Sequence, residues 1–216
     1  MSCNMLRDRM ARIVWEQFRK PSGLFGRFIG NSMARGNVYD ARWTVSLLDI
    51  QPENHVLEIG FGPGVSTQYA AEKATQGFVA GIDHSKTMVQ AARRRNSAAI
   101  KAGRIDLKQG DVASLPYPDE SFDKVFSIHC IYFWAKPGEC LKELRRVLRP
   151  GGLLAITIMP KDKWTELQRR ESSNVWTLYF STELAPMFSD AGFRKVRVEA
   201  CPEQEKFPGE CVLGVR

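Results

Sequence analysis

The feature that most constrains the fold of this chain is a glycine-rich turn that follows a short apolar segment. Residues 56–59 have the character of a buried strand, and Gly60, Gly62 and Gly64 follow at a spacing of two residues. A helical pattern starts at Val65. Because glycine has no side chain, such a turn lets the backbone approach a ligand at the carboxyl end of a strand. The segment therefore predicts a ligand site at one edge of a parallel sheet.

The spacing of these glycines differs from the dinucleotide-binding fingerprint, Gly-x-Gly-x-x-Gly. That fingerprint would require glycine at position 65, where this chain has valine, and the third glycine is instead Gly64. An acidic residue, Glu58, precedes the turn. On the glycines alone, a tight turn in some other α/β protein is an equal interpretation, so the rest of the chain has to decide.

Strand and helix patterns alternate through the rest of the chain, which predicts a mostly parallel sheet with right-handed crossovers. The last two strands are joined through a segment with two prolines and are expected to form an antiparallel hairpin. Residues 161–181 are expected to be an insertion. The predicted strands after the first are 78–82, 105–109, 124–129, 153–159, 195–200 and 211–215, and the predicted helices are 65–75, 85–99, 138–148 and 182–191.

A helical arm of about fifty residues precedes the first strand, and we predict an arm or lid over residues 1–50 and a core domain over 51–216. The first 42 residues contain eight basic and three acidic residues, an excess of five positive charges. This excess fits an acidic substrate, an anionic membrane surface or nucleic acid, and it equally fits a solvated basic helix face.

Composition narrows the cellular setting. The five cysteines are odd in number and form no Cys-x-x-Cys pair, which predicts reduced thiols and no metal site. No apolar run approaches the roughly 20 residues of a membrane-spanning helix, and residues 1–8 lack the apolar region of a signal peptide. We therefore predict a cytoplasmic protein, either a monomer or a homodimer.

Two further carboxylates follow predicted strands. Asp83 ends the second strand, where a carboxylate accepts hydrogen bonds from a ribose diol in nucleoside-binding sheets. Its alternative role is to cap the next helix, but Ser85 can do that. Asp111 ends the third strand, where it can accept a hydrogen bond from an adenine amine, with the Val112 amide facing the ring.

Together these motifs resemble those of class I S-adenosylmethionine-dependent methyltransferases. Glu58-x-Gly60-x-Gly62-x-Gly64 is similar to the first motif of that family. Residues 110–123, with Gly-Asp, Leu-Pro and Phe-Asp in order, and residues 148–152, Leu-Arg-Pro-Gly-Gly, are similar to two others. The pattern is most similar to the small-molecule and ubiquinone/menaquinone branch.

The resemblance implies a Rossmann-like α/β fold whose seven-stranded sheet has six parallel strands and an antiparallel last strand. It also implies S-adenosylmethionine as cofactor, with the Gly60–Gly64 backbone facing its methionine part. A helix-core position is the alternative for Met88. The implied cofactor-binding residues are Glu58, Gly60, Phe61, Gly62, Gly64, Asp83, His84, Met88, Asp111, Val112 and Ser127.

The methyl group of a sulfonium is already activated, so the reaction needs alignment of the partners and no metal. His129 ends the fourth predicted strand, and its ordinary pKa suits a general base. Its alternative role is to close the pocket or to form a hydrogen bond with the cofactor. An aromatic or apolar methyl acceptor would contact aromatic side chains near the strand ends, although these could equally pack against helices. The candidates are Tyr39, Tyr132, Trp134 and Tyr179.

Three other functions are alternatives to the methylation of a small molecule. Residues 127–130 lack the Asn/Asp-Pro-Pro-aromatic motif of base-amino methyltransferases, and Cys130 lacks the preceding proline of a cytosine-C5 enzyme, so a nucleic-acid acceptor is disfavoured. A non-catalytic S-adenosylmethionine-binding module stays open, because fold does not imply activity. Val65 and Asp111 disfavour a nicotinamide oxidoreductase.

Overall fold

The computed structural model describes residues 12–173, 175–202 and 208–216. The first eleven residues of the predicted arm, and residues 203–207 of the connection before the last strand, lie outside the described residues.

Seven strands form one sheet in the order β3-β2-β1-β4-β5-β7-β6. Strands β1 to β5 are parallel, and β7 is antiparallel to both of its neighbours, β5 and β6. Six strands therefore run one way and the last strand runs the other, which confirms the predicted fold. The strands are β1 His55–Ile59, β2 Phe78–Asp83, β3 Ile105–Gln109, β4 Phe122–Ile128, β5 Leu148–Ile158, β6 Arg194–Ala200 and β7 Glu210–Val215.

Helices cover both faces of the sheet. Residues 12–19 are helical and are called α1 here. The helix predicted over 85–99 is two helices, because the chain turns at Asn96, whose side chain donates to the carbonyls of Gly64 and Ala92 at 3.0 Å each. The predicted insertion contains a short helix, α8. The remaining helices are α2 Gly23–Gly36, α3 Val38–Leu47, α4 Val65–Lys73, α5 Lys86–Arg95, α6 Ser97–Lys101, α7 Pro137–Val147, α8 Glu166–Ser172 and α9 Ser181–Asp190.

Alternation along the strands divides the core in two. In β1, Leu57 packs with the apolar residues of α7 and α9, while Val56 packs on the opposite face with those of α3, α4 and α5. Both residues are fully buried. The burial of apolar side chains on both faces, at about 25 cal/mol per Å² removed from water, stabilises the sheet.

The arm packs against the carboxyl edge of the sheet. The buried hydroxyls of Thr44 and Thr157 are 2.7 Å apart, which joins α3 to β5. The hydroxyl of Ser85 donates to the carbonyl of Pro21 at 2.6 Å, which joins the segment before α2 to α5. An added Cβ atom at Gly30 would lie 2.6 Å from Met88 Cε, so α2 and α5 approach each other closely at this glycine. The division at residue 50 stays a prediction.

Candidate active site

The glycine turn presents backbone to the space above the sheet. Gly60, Gly62 and Gly64 have φ angles of 71°, 50° and 78°, in the left-handed region that favours glycine. A Cβ atom at Gly60 would overlap the sulfur of Cys130. At Gly62 the nearest atom to such a Cβ would be 4.0 Å away. Gly62 therefore has open space beside its backbone, and its N–H is accessible to the side chain of Asp83.

Glu58 fixes the turn from below. It is 1% exposed and accepts hydrogen bonds from the hydroxyls of Ser66 and Thr67 in the first turn of α4, the second at 2.5 Å. Burial raises the pKa of Glu58 to about 7, although the two hydroxyls oppose this shift. The carboxyl group therefore joins the end of β1 to the start of the helix that follows the glycines.

Asp83 joins three parts of the site. One carboxylate oxygen accepts the Gly62 N–H and the other accepts the Ser85 N–H, each at 2.8 Å. Burial raises the pKa of Asp83 to about 6, opposed by these same N–H donors. Ser85 caps α5 as predicted, with its hydroxyl accepting the Met88 N–H at 3.2 Å. Asp83 was predicted to bind the ribose while Ser85 caps the helix; in the structure Asp83 also holds the glycine turn, and its ribose role stays a prediction.

The two raised pKa values predict how stability changes with pH. A carboxyl group whose pKa is raised by folding stabilises the protein at low pH, and this contribution is lost as pH rises through the folded value. Glu58 and Asp83 should therefore lower the free energy of unfolding of the ligand-free protein between pH 5.5 and 8, Glu58 by about 2 kcal/mol and Asp83 by about 1 kcal/mol. Burial and neighbouring cations lower the pKa of His84, so the contribution of His84 to stability changes with pH in the opposite sense.

The measurement that isolates one carboxyl group compares the wild type with Glu58→Gln by urea unfolding at pH 5.5 and pH 8. We expect the difference in unfolding free energy to shift in favour of Glu58→Gln at the higher pH. A difference that stays constant, or that shifts the other way, would show that Glu58 is ionised throughout this range.

Two adjoining cavities lie at the carboxyl edge of the sheet, one of about 380 Å³ and one of about 80 Å³. The larger cavity lies over the ends of β2 and β3, and the smaller one lies between the glycine turn, the end of β4 and the arm. They meet at the residues that line both, which are Arg19, Gly60, Asp83, His84, Cys130 and Phe133.

Most predicted cofactor residues line these cavities. Two predicted residues are placed differently. Ser127 is fully buried within β4, and its hydroxyl donates to the Ile59 carbonyl at 3.0 Å, so it serves the sheet. Gly64 lies at the start of α4, with its carbonyl bound by Asn96. The larger cavity contains Gly60, Asp83, His84, Asp111 and Val112, and the smaller one contains Glu58, Gly60, Phe61, Gly62, Asp83, His84 and Met88.

The aromatic candidates separate into two groups. Trp134 lines the larger cavity. Tyr132 is 3% exposed and its hydroxyl bonds the N–H and carbonyl of Met159 at 2.7 and 3.1 Å, so its ring belongs to the core and not to the predicted pocket. Tyr179 is likewise buried in the core. Tyr39 is a half-buried residue of α3 in the arm.

His129 lies beside the smaller cavity in a constrained position. It follows β4 with a φ angle of 53°, and its N–H donates to the Thr157 carbonyl at 3.0 Å. Its Nε2 atom is 2.8 Å from Oδ2 of Asp40, a carboxylate that α3 of the arm contributes. Asp40 is 4% exposed. A buried carboxylate that fixes a histidine ring is the arrangement that orients a general base.

Sequence reasoning missed Asp40, together with Arg19 and Lys20 at the rim. Arg19 lines both cavities and Lys20 lines the larger one. Burial and these two cations lower the pKa of His84. A signal for Asp40 was present, because Asp40 and Thr44 are polar residues in helical register with the buried Ala41 and Val45. The signals for Arg19 and Lys20 were hidden in the general basic charge of the arm.

The fold and the site together define a class of protein. A glycine turn beside carboxylates at the ends of β2 and β3 is the arrangement with which an open α/β sheet binds an adenosine-containing ligand. The cavity of about 380 Å³ lies in the range of small-molecule sites. Asp83 supplies a hydrogen-bond acceptor there, and Val112 and Ile82 supply apolar walls. These residues fit an adenosyl group.

Comparison with known sequences gives the family. Residues 57–156 match a family described as "Methyltransferase domain". An uncharacterized methyltransferase of Bacillus subtilis, YdaC, is 30% identical over 170 residues, which are 79% of this chain and 88% of YdaC. The ubiquinone/menaquinone biosynthesis C-methyltransferase UbiE of Geotalea daltonii is 31% identical over 116 residues, which are 53% of this chain and 49% of that protein. The chain thus spans about half the length of this second relative.

Solved structures share the fold. The complex between the Haloferax volcanii Trm112 methyltransferase activator and the putative methyltransferase matches with a TM-score of 0.75 and 22% identity, covering 86% of this chain and 92% of that one. A Haemonchus contortus phosphoethanolamine N-methyltransferase 2, solved with S-adenosylmethionine, matches with a TM-score of 0.71 and 18% identity, covering 82% and 52%. At these identities the likeness shows the fold alone.

This chain belongs to the class I S-adenosylmethionine-dependent methyltransferases. It is an enzyme of that class, whose cofactor is S-adenosylmethionine. Within residues 12–173, 175–202 and 208–216, no group of three or more metal-binding side chains has the geometry of a metal site. In the same part of the chain, no helix combines the length and the apolar character that crossing a membrane requires.

Proposed function

We propose that the methyl acceptor is a small, largely apolar molecule and that the Asp40–His129 pair removes its proton. The observation that carries this proposal is the distance of 2.8 Å between Nε2 of His129 and Oδ2 of Asp40, at the wall of the cavity beside the glycine turn. Side chains of Phe18, Met33 and Phe133 form an apolar part of the same wall. Such a wall favours an acceptor that loses little hydration on entering.

The residues of the larger cavity would hold the adenosyl part of the cofactor. Asp83 would accept hydrogen bonds from the ribose diol, and Asp111 would accept from the adenine amine beside Val112. Arg19 lines both cavities and would attract the carboxylate of the methionine part where the cavities meet.

Bound S-adenosylmethionine supplies a methyl group that is already activated by the sulfonium. The remaining work of the protein is alignment, exclusion of water and acceptance of a proton. Asp40 accepts a hydrogen bond from Nε2–H of His129, which assigns the tautomer and makes Nδ1 the basic nitrogen. The Tyr132 hydroxyl lies 3.5 Å from Nδ1 and donates its own proton to the Met159 carbonyl.

The arm has to move for the acceptor to enter. The smaller cavity of about 80 Å³ is below the size of ordinary small-molecule sites, and residues of α2 and α3 close it. Since α3 also carries Asp40, closing of the arm would both exclude water and complete the Asp40–His129 pair. We therefore assign to the arm the role of a lid.

The experiment that tests this function has two parts. Titration calorimetry with S-adenosylhomocysteine measures cofactor binding, and transfer of a radioactive methyl group into a metabolite and lipid extract measures turnover. We expect binding, and label in a small molecule that partitions into organic solvent. Label in added RNA alone would overturn the small-molecule acceptor, and binding without transfer to any acceptor would favour the non-catalytic module.

A further inference from the structure

The outer face of α2 exposes large apolar side chains to solvent. Leu24, Phe25 and Phe28 are 82%, 46% and 68% exposed. They lie one helical turn or less apart, so they form one patch, which we call the α2 patch. Single exposed apolar residues need no explanation, but three such residues on one short face usually mark an interaction surface.

The inner face of α2 is packed against the rest of the protein, so the patch on its outer face points to solvent. Ile29 is 7% exposed, and Gly26 and Gly30 are buried where the helix crosses the rest of the protein. An added Cβ atom at Gly26 would be 2.6 Å from the carbonyl carbon of Pro21, and one at Gly30 would be 2.6 Å from Met88 Cε. These close approaches hold the inner face against the core and leave the α2 patch outward.

The charge in the chain around the patch is predominantly positive. Residues 12–36 contain five basic side chains and one acidic side chain, Glu16. Two of the basic residues, Arg27 and Arg35, are exposed on α2 itself. An exposed apolar face bordered by cations is the pattern of a helix that lies in the interface of an anionic membrane.

Other occupants fit the patch less well. A second copy of the chain would bring this basic surface against its own like charge in a two-fold contact. RNA would use the cations and could stack on phenylalanine, but it offers nothing to Leu24, the most exposed of the three apolar side chains. Lipid acyl chains bury all three side chains, and the headgroups pair with the arginines.

We propose that the α2 patch inserts into the surface of membranes that contain anionic lipids. This inference goes beyond the proposed function, because membrane binding does not require methyl transfer. Membrane binding would nevertheless affect the proposed function, because Met33 and Ala34 of the same helix line the smaller cavity. Insertion of the outer face would place that cavity next to the lipid, from which an apolar acceptor could enter.

The test is co-sedimentation of the full chain with vesicles of phosphatidylcholine, alone or with phosphatidylglycerol at about one third of the lipid. We expect binding to the anionic vesicles at least tenfold tighter than to the neutral ones, and weaker binding as salt is raised. The double variant Leu24→Ser/Phe28→Ser should bind anionic vesicles at least tenfold more weakly. The matched control is Leu167→Ser, which changes an apolar residue that is 49% exposed on α8 and should bind as wild type does.

A second pair of variants tests the charge. Arg27→Glu/Arg35→Glu should lose at least tenfold in affinity for anionic vesicles, whereas Arg94→Glu, on the exposed part of α5, should lose no more than about threefold. Absence of vesicle binding by the wild type would overturn the proposal. Equal binding of the patch variants and Leu167→Ser to anionic vesicles would also overturn it. The same holds if substitution of the patch changes only RNA retention or the dimer fraction. Far-ultraviolet circular dichroism checks that each variant is folded.

Discussion

Replacing His129 by alanine is expected to lower kcat by about 10²- to 10⁴-fold, while the Kd for S-adenosylhomocysteine changes by less than about threefold. The expected loss follows from geometry, because the ring is fixed beside the smaller cavity by Asp40 at 2.8 Å and by its own backbone bond to Thr157. The ring lines the smaller cavity and not the larger one to which the adenosyl part is assigned, so binding of the demethylated product should persist. Label transfer to the acceptor and calorimetry measure the two quantities separately.

The matched control for this change is His55→Ala, which removes a histidine at the opposite end of the sheet, where β1 begins. It should keep kcat within about threefold of wild type. Because His129→Ala leaves the buried Asp40 without its ring partner, Asp40→Asn is a second variant, which preserves the shape of the pair. It should lower kcat by about tenfold or more and shift the pH profile of kcat. Wild-type turnover in both variants would remove the pair from the mechanism.

The residues whose position follows from the local order of strand, turn and helix were predictable from the sequence. The end of a parallel strand, the turn after it and the start of a helix follow one another in the chain, so Gly60, Asp83 and Asp111 could be placed at one edge of the sheet from their spacing alone. The antiparallel last strand agreed with the family pattern. These predictions needed no knowledge of contacts between distant segments.

Contacts between distant segments explain what was missed. Asp40 reaches His129 across 89 residues, and no local pattern reports which helix of the arm faces which strand end. Tyr132 stands three residues after His129 and was expected in the pocket, but the turn after β4 directs its hydroxyl to Met159. Asn96 ended a predicted helix early because its side chain bonds Gly64, a residue of the glycine turn. In each case a tertiary contact overrode local preference.

Asp83 also contacts a distant segment, and this contact changes the effect that we expect from replacing Asp83. A carboxylate that only accepted the ribose diol would lose about 1–3 kcal/mol of ligand binding on substitution. In the structure, the two oxygens of Asp83 also accept the N–H groups of Gly62 and Ser85, so the substitution additionally releases the glycine turn. Ligand affinity and the order of the turn are therefore coupled through one side chain.

Asp83→Ala is accordingly expected to weaken S-adenosylhomocysteine binding by about 30- to 150-fold, which corresponds to about 2–3 kcal/mol. The control, Asp106→Ala, removes a carboxylate that pairs with Lys108 at 2.9 Å on the exposed side of β3, and it should leave the Kd within about twofold. Calorimetry between pH 5 and pH 8 adds an independent readout. Since the pKa of Asp83 is raised to about 6 and the ionised form accepts the diol, wild-type affinity should fall as pH drops below 6, and that fall should be absent in Asp83→Ala. An affinity equal to wild type at pH 8 would exclude Asp83 from the site and leave it only its structural bonds to the turn.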